Sequence, residues 1–207
     1  YFATDRRDVH TLEEAIKDAK PGQTITLIAN ITASEIITID KAIILDGNGK
    51  TLTATGAGVG SIRLANGGVL EFKNVNIVDK SVSYNEGAWE LTYLECAGAR
   101  RFEGCTFNSG IQLQAEEGGF LLAAFEGCHF NSNEASVYAA WVSDGIVEFN
   151  ECTFKGTRGL KIHEDYGSEV FAVVVDGCEF GPMSKKPGIA FGTLNAETTV
   201  IVENSLF

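Results

Sequence analysis

Phe102-Glu103-Gly104-Cys105-Thr106-Phe107, Phe125-Glu126-Gly127-Cys128-His129-Phe130, Phe149-Asn150-Glu151-Cys152-Thr153-Phe154 and Val175-Asp176-Gly177-Cys178-Glu179-Phe180 repeat one pattern. Weaker copies flank them at Phe72-Lys73-Asn74-Val75-Asn76-Ile77 and Val202-Glu203-Asn204-Ser205-Leu206-Phe207. The aligned positions 75, 105, 128, 152, 178 and 205 lie 30, 23, 24, 26 and 27 residues apart. Self-similarity at such a period is the signature of a stacked repeat architecture.

Each copy reads apolar, polar, Gly or Asn, small, polar, aromatic. Side chains alternate faces along a strand, so the cysteine and the aromatic two residues later share a face. The apolar residue three before the cysteine has the wrong parity for that face unless the chain turns between them. Gly and Asn tolerate the left-handed backbone such a turn needs. The motif therefore predicts a strand, a one-residue corner and a second strand, both with their apolar side chains inward. At Cys152 the preceding residue is Glu151 and the Asn moves back one place, so a differently shaped corner is expected there.

A further short strand follows each corner: Ile111–Gln114, Val137–Trp141, Leu160–His163 and Ile189–Phe191, three of them after Gly110, Gly159 and Gly188. Two or three short strands per two dozen residues describe one coil of a parallel β-helix, whose inward faces merge into one core on stacking. Leucine-rich repeats would show Leu-rich spacing with helical returns, and a propeller blade needs ~40 residues or more. Upstream, Leu12, Ala15, Ile16 and Ala19 form one helical stripe, with Thr11 as N-cap, Glu14 at the capping-box offset and Pro21-Gly22 as the stop. The reading is an all-β, right-handed parallel β-helix of about 7–8 coils spanning 1–207 as a single domain. A capping helix over 9–20 covers one open end, and the coils run over 23–207. End-to-end packing is expected at the C-terminal coil.

Thr11-Leu12-Glu13-Glu14-Ala15-Ile16 through Pro21-Gly22-Gln23-Thr24-Ile25, followed by Ile43-Ile44-Leu45-Asp46-Gly47-Asn48-Gly49, resembles the opening segment of right-handed parallel β-helix proteins of the pectate-lyase-like superfamily. The Gly-Cys-x-Phe coils resemble those of non-catalytic bacterial surface and adhesin-type members. The resemblance implies fold rather than activity, since lyases, hydrolases, adhesins and phage proteins share it.

Composition narrows the partners. The chain has 207 residues, 28 acidic against 16 basic, and a formal net charge of −12. Phosphate binding depends on Lys and Arg, so neither nucleic acid nor an anionic membrane is the expected partner. Phe120 to Phe125, six residues, falls far short of the ~18 apolar residues a membrane span requires.

Stacking places Cys105, Cys128, Cys152 and Cys178 in a ladder at roughly 4.8 Å spacing. That is longer than the ~3.8 Å Cβ separation of a disulfide, so buried free thiols are expected. Cys96 lies outside the ladder. No C-x-x-C pair or His cluster accompanies them, and no metal or other cofactor is expected. Glu116-Glu117 and Asp46 lack a calcium-loop pattern.

If Ile111, Leu113, Val137, Ala139, Leu160 and Ile162 face inward, parity turns Gln112, Gln114, Tyr138, Lys161 and His163 outward onto one surface. Amides, an aromatic plate, a cation and an imidazole suit a saccharide, which takes hydrogen bonds beside an apolar stacking face. The plainer alternative is a solvated flank. Trp89 and Tyr93 share parity on one strand and offer a second platform, although aromatics so placed more often belong to the core or pack beneath a loop. In polysaccharide lyases a Lys or Arg abstracts a proton beside a uronate; in related hydrolases paired carboxylates act as acid and base. Arg158, Lys161, Glu164 and Asp165 could fill such parts. The superfamily's Asn-x-Asp, Asp-Asp, Gly-His-Gly and Arg-x-Lys elements are absent from the chain.

The expected function is a non-catalytic, exported β-helix module of a bacterial cell-surface protein that binds carbohydrate or mediates adhesion to a host or neighbouring surface protein. The rivals are a polysaccharide lyase or glycoside hydrolase acting on an acidic polysaccharide, and a purely structural stalk.

Overall fold

The structure is a computed structural model, which describes residues 2–4, 7–9, 11–35, 37–55, 62–64, 70–79, 92–96, 98–108, 110–115, 121–132, 138–164, 167–184 and 187–207. It is a parallel β-solenoid with one short helix. Among the described residues three sheets run along it. Each coil supplies one strand to each sheet in turn, as in Gly98–Glu103 (sheet A), Thr106–Phe107 (sheet B) and Ile111–Gln114 (sheet C). Leu121–Glu126 then returns to sheet A beside Gly98–Glu103, pairing Phe102 with Phe125. Sheets B and C each hold seven strands, from Ile31–Ala33 to Glu179–Met183 and from Ile37–Ile39 to Ile189–Phe191. In sheet A, eight parallel strands run from Thr24–Leu27 to Thr199–Glu203.

The turn between sheets A and B explains why the motif repeats. Asn74, Gly104, Gly127, Glu151, Gly177 and Asn204 have φ of 50, 60, 57, 53, 61 and 49°. One left-handed residue flips the strand parity, so Phe102 and Cys105 both turn inward and are fully buried. The different corner expected at Cys152 does not occur. Glu151 adopts the same turn as the glycines, because the strands stacked on either side fix the backbone path.

Inside, the motif builds columns. Phe72, Phe102, Phe125 and Phe149 stack with centroids 4.5–5.2 Å apart. Phe107, Phe130, Phe154, Phe180 and Phe207 form a second column at 4.7–5.1 Å. The columns meet edge to face, as at Phe107 and Phe125, 5.9 Å and 76° apart. Both stacked and edge-on pairs are favoured by the ring quadrupole, and burying each ring contributes roughly 1.5–3 kcal/mol, except at Phe207, which ends its column 67% exposed. Cys105, Cys128, Cys152 and Cys178 are buried as free thiols.

At the N-terminal end the helix covers Leu12–Asp18, shorter than the 9–20 expected. Thr11 is extended and its Oγ1 accepts from the Glu14 N–H at 3.1 Å, while Ala19 leaves the helix at ψ 143°. Lys41 Nζ closes the other end by donating to the carbonyls of Ile16, Lys17 and Ala19 at 2.9, 2.5 and 3.1 Å. Leu12, Ala15, Ile16 and Ala19 join the core. An unanticipated antiparallel hairpin, Phe2–Thr4 with Arg7–Val9, extends sheet A beyond Thr24–Leu27. No helix among the described residues is long and apolar enough to cross a membrane.

Candidate functional site

The outer face of sheet C carries the residues expected to bind a ligand, but in a different arrangement. Register pairs Gln112 with Trp141 and Trp141 with Lys161. The residues expected inward, Ile111, Leu113, Ala139, Leu160 and Ile162, are fully buried; Val137 lies outside the described residues. The strand expected over Val137–Trp141 is Ala140–Val142. Its parity is reset just upstream, where the Ala139 N–H donates to both Arg158 O and Gly159 O at 2.9 Å. Trp141 therefore takes the outward place given above to Tyr138. Coil alignment carries the missed signal: Gln112, Trp141 and Lys161 each precede a buried aliphatic residue, Leu113, Val142 and Ile162.

Cations cover the aromatic residues. Lys161 Nζ lies 3.6 Å from the Trp141 ring centroid and 5.9 Å from that of Tyr138. The Arg158 guanidinium lies 5.2 Å from the Tyr138 ring. Trp141 and Tyr138 are only 5% and 8% exposed, so neither presents the open stacking plate expected of Tyr138. Trp141 Nε1 donates to the His163 carbonyl at 3.0 Å, and the His163 ring packs against Trp141 with centroids 5.8 Å apart. His163 Nδ1 accepts from the Thr193 N–H at 2.8 Å, which leaves Nε2 as the N–H donor of the neutral ring. A Cβ at residue 192 would collide with the His163 ring, so Gly192 leaves the imidazole its place.

Gln112 is outward by register yet 1% exposed, contrary to the surface role expected of it. Its Nε2 donates to Ser143 Oγ at 3.3 Å and Gln114 Oε1 at 3.4 Å. Buried amides require such partners, so Gln112 holds the strip together, and Gln114, Lys161 and His163 remain half-exposed.

The residues considered for catalysis are structurally engaged. Arg158 rests on Tyr138, and Lys161 on Trp141. Glu164 Oε1 accepts from the Val170 N–H at 3.1 Å and from Thr198 Oγ1 at 3.5 Å. Asp165 lies outside the described residues, as do Trp89, Glu116 and Glu117 and the side chains of Tyr93 and Cys96. One ionisable group not foreseen is Asp144, where burial raises the carboxyl pKa above its ordinary value and the Ala115 N–H, donating at 3.4 Å, opposes the shift.

In the thiol ladder, Cys128, Cys152 and Cys178 donate to the carbonyls of Phe102, Phe125 and Phe149 on the preceding coil at 3.4–3.5 Å. Cys105 is raised, first by its bond with Cys128 and then by burial. At Cys128 the Cys105 thiol favours the thiolate, but Cys152 and burial outweigh it and push the pKa up to about 12. Cys152 is likewise pushed up to about 12: Cys128 lowers it, and Cys178 and burial raise it further. Among the described residues no group of three or more His, Cys, Asp or Glu is placed to hold a metal ion.

A cavity of about 560 Å³ at the C-terminal end is lined by Phe180, Met183, Gly188, Leu206 and Phe207 among others, and includes none of the expected site residues.

No protein-family model matches the chain, and no curated protein matches it. Among solved structures, that of a "putative glycosyl hydrolase" from Parabacteroides merdae is similar at 14% sequence identity, covering 89% of this chain and 79% of that chain, with a TM-score of 0.21.

Proposed function

We propose that the chain is a non-catalytic carbohydrate-binding module of an exported bacterial cell-surface protein. The observation that carries this reading is the strip on sheet C in which Gln114, Lys161 and His163 sit half-exposed above a fixed base of Gln112, Trp141 and Tyr138. An amide, an ammonium and an imidazole of set orientation provide hydrogen bonds in different directions, as sugar hydroxyls require. The non-catalytic part is supported by the engagement of Arg158 and Lys161 with rings and of Glu164 with backbone. A proton-transfer group must be free to reach its substrate.

A glycan array run beside depolymerisation assays on uronic-acid and neutral polymers tests the proposal. The expected result is binding without chain cleavage, weakened about tenfold or more in Gln114→Ala and His163→Ala. Turnover that disappears in Lys161→Ala would establish the lyase or hydrolase reading instead. Absence of binding across the array would leave the chain a structural stalk.

A further inference from the structure

The outer face of sheet A changes character halfway along the solenoid. In its earlier part Glu71, Lys73, Arg101 and Glu103 form a charged network, with Lys73 Nζ 3.2 Å from Glu71 and Arg101 Nε 3.8 Å from the same carboxylate. The row containing Glu71 and Arg101 continues through Ala124, Glu148, Val174 and Ile201. The neighbouring row runs Leu122, Ile146, Ala172 and Thr199. From Leu121–Glu126 onward these two rows are thus largely apolar, with Leu122 and Ile201 each 40% exposed.

A backbone irregularity enlarges this patch. Gly145 pairs with Val170 but Ile146 pairs with Ala172, so Phe171 is the extra residue of a β-bulge. Val170 and Val173 are buried on either side, and Phe171 and Ala172 both lie on the outer side, Phe171 43% exposed. Bulges re-aim side chains at the expense of regular pairing, and this one adds an aromatic ring to an apolar surface. Gly145 faces the bulge at φ 70°, and a Cβ there would collide with the Leu121 carbonyl.

Acids border the patch. The next row is Glu126, Asn150, Asp176 and Glu203, and Glu148 stands within the apolar rows. Among the described outward residues of these four strands, none is Lys or Arg. Contiguous exposed apolar surface rimmed by polar groups marks an interaction site. A second copy docked through this face would set its own Glu126, Glu148, Asp176 and Glu203 against this acidic surface, which disfavours self-association there.

We infer that this half of sheet A docks a polypeptide segment that presents an apolar strip flanked by Lys or Arg, as a basic amphipathic helix does. Its apolar side chains cover Leu122, Ile146, Phe171 and Ile201, and its cations meet Glu126, Asp176 and Glu203. This surface lies on a different sheet from the glycan strip, so each proposal can fail without the other.

The probe is a synthetic amphipathic helical peptide of Leu and Lys, titrated onto the full chain by fluorescence anisotropy beside its Leu/Glu counterpart. The Leu/Lys peptide should bind, weakening about tenfold as ionic strength rises from about 0.05 M to about 0.5 M. Phe171→Ser and Leu122→Ser should each weaken it about fivefold or more, with unchanged circular dichroism. Glu126→Gln with Glu203→Gln should flatten the salt dependence, and Glu13→Gln with Glu14→Gln on the helix should not. Equal binding of the Leu/Glu peptide would overturn the inference, as would unchanged affinity in the patch variants. Sedimentation showing a dimer that Phe171→Ser dissociates would assign the face to a second copy. Loss of glycan binding in Phe171→Ser would assign it to carbohydrate.

Discussion

Lys161 Nζ lies 3.6 Å from the centroid of the Trp141 ring, one coil earlier in the same row of sheet C. The cation lies over a ring that is only 5% exposed, and the pairing of adjacent coils fixes both partners. A cation over an indole contributes ~0.5–2 kcal/mol, depending on how dry it is. Lys161→Ala should lower stability by about 1 kcal/mol and shift part of the tryptophan emission to the red. Lys161→Arg should keep both close to the parent. Emission unchanged in Lys161→Ala would mean that something other than the ammonium covers Trp141.

Glu151 provides a stability test that does not alter the core. It holds φ 53° where equivalent coils place Gly104, Gly127 and Gly177. Left-handed backbone costs a residue with a Cβ ~1–2 kcal/mol, and Asn tolerates it better than Glu. Glu151→Asn should therefore stabilise by about 0.5–1 kcal/mol, raising the melting temperature by roughly 1–4 °C. Glu151→Gly should gain less, because glycine loses more entropy on folding. The reverse change is Gly127→Ala, whose new Cβ would meet nothing within 4 Å. Its expected loss of ~1–2 kcal/mol is conformational alone.

These corners show what the sequence makes legible. The repeat at positions 105, 128, 152 and 178 marks where the chain turns inward, and period-two parity then assigns the Phe and Cys columns. Parity propagates only through regular strand. At Ala139, whose N–H donates to both Arg158 O and Gly159 O, the alternation is reset, so Tyr138 and Trp141 exchange their expected places. At Val170–Asp176 the bulge adds one residue, and no local motif announces it. Burial of Gln112 was equally invisible, since its partner Ser143 is 31 residues away.

The thiol ladder makes stability fall in alkali. Cys128 and Cys152 are raised from the ordinary 9.0 to about 12 in the folded chain. Between those values the unfolded chain releases thiol protons that the folded chain keeps. The folded state then binds more protons, so unfolding becomes easier as pH rises. The contribution is intact below pH 9 and is lost toward pH 12, with a slope of ~1.4 kcal/mol per pH unit for each thiol. Denaturant midpoints measured over this range should fall more gently in Cys128→Ala than in the parent chain. Parallel slopes would show that the thiols do not couple to folding.

Labelling should follow the same ladder. Cys105, Cys128 and Cys152 are held protonated and fully buried, whereas the bond from Cys152 lowers the pKa of Cys178 at the end of the row. Thiolate is the reactive form, so Cys178 should be alkylated first when sub-denaturing urea loosens the last coils. Mass spectrometry of partly labelled protein identifies the site. Prior labelling of Cys105 would contradict the order.

Gly192 tests whether the His163 geometry matters to the site. Its backbone is not left-handed, so Ala at 192 meets no left-handed penalty, only the collision with the His163 ring and its Cβ. Gly192→Ala should displace the imidazole from the Thr193 N–H and from Trp141, costing about 1–2 kcal/mol and weakening glycan binding as much as His163→Ala does. His163→Gly removes the ring and the Cβ, and with them the collision. The cost of Gly192→Ala should then shrink in a His163→Gly background, with a coupling of about 1 kcal/mol in the double-mutant cycle. Additive costs would mean that the ring relaxes freely past residue 192. The strip on sheet C would then not depend on a fixed imidazole, and the glycan proposal would lose the group whose direction it relies on.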